Sequence, residues 1–149
     1  MRGENHLRQV IESLKTAGIR VSLFIEPETR AIEAAARLGA HVVELHTGAY
    51  CERALEDDAG GLQRELARLE RAAQAADAVG LEVHAGHGLT FNTVAAVARI
   101  PAIVELNIGH FLVGEAIFGG LGPAIARMRT LMDEARAGIA AGTRAKGAP

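Results

Sequence analysis

Three times along this chain a glycine closes an apolar helical pattern and a run of strand formers follows at once: Gly18-Ile19-Arg20-Val21, Gly39-Ala40-His41-Val42 and Gly80-Leu81-Glu82-Val83. This repeated join constrains the fold more than any other feature. Glycine accepts the left-handed backbone that ends a helix, so each join reads as a helix stop followed by a strand start. The apolar spacing predicts helices over about 5–17, through Ala31, Ile32, Ala35 and Leu38, and through Leu62, Leu66, Leu69, Ala73 and Ala76. Shorter helices are expected over 91–98 and 113–118, and a last one through Ile125, Met128, Met132 and Ala135. Strands are expected at 21–25, 42–45, 81–85 and 103–108. Helices alternating with strands give a parallel sheet, because each crossover returns the chain to the same edge. The stretch 49–61 reads as polar and irregular. The domain is expected over 1–136, with 137–149 a disordered tail of small residues.

Side-chain parity separates the two architectures that fit. On the second strand Val43 and Leu45 oppose Val42, Glu44 and His46. On the first, Val21, Leu23 and Ile25 oppose Ser22, Phe24 and Glu26; on the fourth, Val104, Leu106 and Ile108 oppose Ile103, Glu105 and Asn107. One face is aliphatic and the other turns polar toward the strand ends. An open sheet covered on both faces reads apolar throughout. A barrel interior whose upper layer lines an active site reads like this one. A full barrel needs eight strands and about 250 residues. The expected class is therefore α/β, the C-terminal half of a (β/α)₈ TIM barrel: four parallel strands alternating with helices, with the N-terminal half missing.

Composition narrows the function classes. A net charge of −2 and 3% aromatic residues give no basic surface for nucleic acid or an anionic membrane. Cys51 is the only cysteine, which excludes a disulfide framework and a thiolate zinc site. Neither a signal core nor a membrane-length apolar run is present, so a cytoplasmic setting is expected.

The chemistry gathers in His84-Ala85-Gly86-His87-Gly88-Leu89-Thr90 and in Asn107-Ile108-Gly109-His110. Each is a glycine turn between a strand and a helix. Such a turn lets backbone approach a ligand, and the following helix start offers free N–H groups to an anion. A lone turn histidine is more often solvated than catalytic, but the glycines flanking His87 favour the proton-transfer reading. His110 either caps the next helix or holds a phosphate beside Gly109. Glu44, among Val42, Val43 and Leu45, needs a partner; the bland reading is a structural ion pair, the functional one a carboxylate facing cationic intermediates. His46 and His84 share the inward parity and are left outside the site. The histidines near strand ends lack a His-x₃-His or cysteine companion, so no metal is expected. Cys51 has no nearby base in sequence and is not expected to be a nucleophile.

The turn at 84–90 resembles the N-A-G-H-G-L-T turn of the pyridoxine 5′-phosphate synthase family, a (β/α)₈ barrel family of vitamin B6 biosynthesis. Val21-Ser22-Leu23-Phe24-Ile25-Glu26, Glu44-Leu45-His46-Thr47-Gly48 and Glu105-Leu106-Asn107-Ile108-Gly109-His110 resemble its motifs in the same order, from about Leu7 to Arg136. The resemblance implies condensation of 3-amino-2-oxopropyl phosphate with 1-deoxy-D-xylulose 5-phosphate, giving pyridoxine 5′-phosphate, inorganic phosphate and water, without a cofactor. It implies His87 as proton donor, Glu44 as transition-state stabiliser, and Gly88, Gly109 and His110 as substrate- and phosphate-binding residues. It also implies a cytoplasmic homo-oligomer, an octamer in the family. The family's other catalytic histidine and its glutamate base belong to the N-terminal half, so the 149-residue chain is expected to be inactive alone. His84 stands where the family commonly has asparagine, and the loop after Cys51 is a few residues longer than in some members. The alternatives are a non-catalytic half-barrel that binds phosphate esters or pairs with itself, and another phosphate-binding barrel of the sugar-phosphate isomerase kind.

Overall fold

The computed structural model describes the backbone of residues 2–146 and the side chains of residues 4–139. Its elements alternate as the glycine joins predict: α1 (Arg2–Thr16), β1 (Ser22–Ile25), α2 (Thr29–Leu38), β2 (Val42–His46), α3 (Gly48–Leu55), α4 (Ala59–Ala78), β3 (Glu82–Gly86), α5 (Val94–Ala98), β4 (Ile103–Asn107), α6 (His110–Gly119) and α7 (Leu121–Lys146). Gly18, Gly39 and Gly80 all have positive φ, 75 to 79°, which is how each stops a helix one turn before a strand.

The four strands pair in parallel in the order β1-β2-β3-β4. Register sorts their side chains into rows. Phe24, Glu44, His84 and Glu105 lie abreast, and two residues further on His46, Gly86 and Asn107 do. Between them Ile25, Leu45, Ala85 and Leu106 form a row on the opposite face. That face holds the core. Val43, Leu45, Val83 and Ala85 are at most 1% exposed and pack with Ile32 and Ala35 of α2 and Leu69, Ala73 and Ala76 of α4. Burying each large aliphatic side chain contributes roughly 1.5–3 kcal/mol. A smaller cluster of Ile11, Val21 and Leu38 fastens α1. Helices on one face and a polar strand-end row on the other make this an α/β unit of half-barrel type. Among the described residues β1 and β4 each pair on one side only.

Four details depart from the sequence reading. The stretch expected to be irregular holds α3 and the start of α4. Tyr50 and Cys51 of α3 are buried, and the Tyr50 hydroxyl donates to Thr93 O at 3.2 Å. Two adjacent buried positions in so short a helix leave no periodic trace. Asp58 caps α4 by accepting from the Gly61 N–H at 2.9 Å. The helix expected over 113–118 begins at His110, directly after the Gly109 turn.

On β4 the expected parity fails at its first two residues. Val83 pairs with Ile103, but His84 pairs with Glu105, so the register shifts and Val104 has no opposite residue. Ile103 is consequently in the core at 1% exposure, and Val104 is 64% exposed. Beyond the shift Glu105 and Asn107 keep their predicted side. Finally, α7 continues to Lys146, so the segment expected to lack structure is helical that far; 147–149 lie outside the described residues.

Candidate functional site

The C-terminal ends of the strands surround a cavity of about 690 Å³. Glu44, His87, Gly88, Gly109 and His110 all line it, together with Phe24, Leu89, Thr90, Asn107, Ile108 and Phe111. Every candidate residue named from the sequence thus reaches one space, of the size that takes a small phosphorylated ligand.

His87 sits on a strained turn. Its φ is 80°, and that of Gly88 is 87°, so two consecutive residues are left-handed. For a residue with a β-carbon this costs on the order of 1–3 kcal/mol and persists only where neighbours enforce it. The enforcer is Thr47, fully buried at the end of β2. Its N–H donates to Gly86 O at 2.8 Å, and its hydroxyl lies 2.7 Å from Gly86 O and 2.6 Å from His87 O. Thr90 and Thr93 tie the far side of the turn, with the Thr90 N–H donating to Thr93 Oγ1 at 2.8 Å.

The glycines divide their work. A β-carbon at Gly86 would lie 2.5 Å from Glu44 Oε1 and 2.8 Å from Asn107 O. Gly86 therefore clears the gap across which Asn107 Nδ2 donates to Glu44 Oε2 at 2.8 Å. Glu44 gets a neutral amide partner instead of the ion pair weighed above, so its charge stays uncompensated by that contact and faces the cavity. At Gly88 a β-carbon would press on Cys51 Cβ at 3.2 Å and Sγ at 3.4 Å, so this glycine serves packing against α3 as well as a left-handed turn. At Gly109 nothing lies within 4 Å of such an atom, and the backbone opens to the cavity. His110 is exposed at the first position of α6, whose N-cap is Gly109.

The two histidines left out of the site differ. His84 is buried, with Nε2 2.8 Å from Glu82 Oε1 and Nδ1 3.3 Å from Glu105 Oε1, so both ring nitrogens are occupied below the cavity. Arg20, then His84, hold the Glu82 carboxyl below its ordinary pKa by hydrogen bonding. His46 lies beside His87, with ring centroids 4.7 Å apart. Burial raises the Cys51 thiol, which keeps it protonated and argues against a nucleophile. Among the described residues no group of three or more His, Cys, Asp or Glu is arranged to hold a metal ion, and no helix is long and apolar enough to cross a membrane.

Thr47 and Asn107 were absent from the sequence candidates. Asn107 had a signal, its inward parity at a strand end. Thr47 stands in the motif Glu44-Leu45-His46-Thr47-Gly48, but nothing there pointed to its role, since its partners are supplied by a turn far along the chain.

Parallel βα units with a histidine, a carboxylate and glycine turns around a cavity at the strand ends define an α/β unit of barrel type with a candidate site at its strand ends. Comparison with known proteins narrows the class. Residues 1–134 match the family model described as pyridoxal phosphate biosynthesis protein PdxJ, and the chain belongs to that family. Similar proteins named pyridoxine 5′-phosphate synthase occur in Roseobacter denitrificans, 60% identical over 136 residues, and in Rhodospirillum rubrum, 61% over 142 residues. A third, from Caulobacter sp. strain K31, is 54% identical over 141 residues. These alignments cover 91%, 93% and 95% of this chain but 55%, 55% and 56% of the relatives, so the chain spans little more than half their length.

Proposed function

We propose that the chain forms the proton-donor and phosphate-binding corner of a pyridoxine 5′-phosphate synthase. That reaction condenses 3-amino-2-oxopropyl phosphate with 1-deoxy-D-xylulose 5-phosphate into pyridoxine 5′-phosphate, releasing phosphate and water. The observation that carries the proposal is the single cavity that Glu44, His87, Gly88, Gly109 and His110 line together.

Each residue type suits a step. Ring closure expels phosphate and water, and the His87 imidazolium protonates the departing oxygen. The Glu44 carboxylate, held by Asn107, faces cationic imine intermediates and stabilises them. Backbone N–H groups at Gly109 and the start of α6, with His110 beside them, hold a phosphate; Gly88 lets the other turn approach it. A cytoplasmic homo-oligomer belongs to the same proposal and rests on the family resemblance alone.

Isothermal titration calorimetry of the 149-residue chain with pyridoxine 5′-phosphate tests the corner. Saturable heat is expected, lost in His110→Ala; the absence of heat at millimolar ligand would refute a formed site. Synthase turnover by the same polypeptide, with no further chain added, is expected to be negligible. A second reading, a phosphate-binding half-barrel that pairs with another copy, is favoured by the one-sided pairing of β1 and β4 among the described residues. Under it the chain elutes as a dimer and binds the ester without turnover when a whole family member's substrates are supplied.

A further inference from the structure

Two imidazoles stand side by side at the strand ends, and the proposed reaction uses one. His46, the last residue of β2, has Nδ1 3.2 Å from Glu26 Oε1. The other Glu26 oxygen accepts from Arg68 Nη2 at 3.1 Å, and Arg68 reaches Glu28 at 3.4 Å and Glu65 at 3.0 Å. The His46 ring meets Phe24 edge-on with centroids 5.1 Å apart, and tilts by 43° against His87. Gly48 makes room for this. A β-carbon there would fall 2.7 Å from His46 Cε1, 3.0 Å from His46 Nε2 and 3.4 Å from His87 Cδ2. The Nε2 edge of His46 and the Cδ2 edge of His87 therefore share one gap over Gly48.

A carboxylate on one imidazole nitrogen holds the proton there and leaves the lone pair on the other. We infer that Glu26 and His46 form a positioning couple for His87. Glu26 holds His46 as the Nδ1–H tautomer, and His46 sets the ring orientation of the proton donor while turning an Nε2 lone pair into the gap beside it. The inference rests on the reading of His87 as the donor. His46 does not line the cavity, so it acts through His87 and not on substrate. The charged groups around it are Glu26 after β1, Arg68 and Glu65 of α4, Glu28 before α2, and His87 on the β3–α5 turn. Phe24 and Gly48 complete the enclosure without charge.

Nuclear magnetic resonance of the imidazoles, on the ¹⁵N-labelled 149-residue chain without ligand, tests the couple. It is readable whether or not the chain binds pyridoxine 5′-phosphate, so its outcome is separate from that of the proposed function. The expected result is a His46 Nδ1–H tautomer near neutral pH and a nuclear Overhauser effect between the two rings. Glu26→Gln is expected to mix the His46 tautomers and shift the His87 ring nitrogens, which a mere packing role for His46 would not do. His46→Phe is expected to keep the ring contact and still shift the His87 nitrogens. The Glu26 side chain is 54% exposed, so Glu26→Gln leaves folding intact even if His46→Phe does not. An Nε2–H tautomer in the unaltered chain, or His87 signals that are the same with and without Glu26→Gln, would overturn the inference.

Discussion

Single residues here balance strain against support. His87 occupies a backbone region that glycine adopts without cost, so His87→Gly is expected to hold or raise stability by up to about 1 kcal/mol while abolishing ligand heat. Urea unfolding followed by circular dichroism, beside calorimetry, checks both halves. Gly86→Ala is the converse. Its new methyl meets Glu44 and Asn107, and a loss of about 1–3 kcal/mol with loss of ligand binding is expected. Glu82 gives a pH signature. Its folded pKa lies below the ordinary 4.5, so the stability that Arg20 and His84 confer on it is present above 4.5 and lost as pH falls below. Unfolding midpoints measured from pH 6 to pH 3 are expected to fall less steeply in Glu82→Gln. Much of the residue scale could be read in the sequence. His87, Gly88, Gly109 and His110 stand in glycine turns after apolar runs, and Glu44 and Asn107 share a parity. Thr47 stands in a quoted motif, but its role could not be read, because a buried threonine after a strand looks the same whether it packs or pins a distant carbonyl.

Elements show where local pattern stops informing. The three glycine joins located the helix ends because left-handed backbone is a local demand of the chain. The register shift in β4 is not local. It arises where β4 meets β3, and the run Ile103-Val104 gives no hint of which residue goes inward. The shift makes a sharp contrast testable: Ile103→Ala is expected to cost roughly 2–5 kcal/mol, whereas Val104→Thr stays within about 0.5 kcal/mol. Had alternation run unbroken, the two would trade places. Denaturant midpoints of the two variants decide it. The third helix escaped notice for a related reason, since Tyr50 and Cys51 are buried by what α3 lies against and not by a periodic stripe of their own.

At the scale of the whole molecule, stability and chemistry occupy opposite sides of one sheet. The helices on α2, α4 and α5 cover the aliphatic face, and the polar row above opens to the cavity. Parity made that division visible before any coordinates, which is why a barrel-type unit could be read where an open sheet could not. Thr47 has a consequence for how such a molecule comes together. Its hydroxyl and the His87 carbonyl are 40 residues apart, so the loop between them must close before the turn is held. A conformation that is unfavourable by itself and supported only from a distance cannot act as a folding nucleus. The His87 turn therefore acquires its geometry late, after β2 and β3 have zipped, and a chain that has assembled its sheet incompletely leaves that turn unformed.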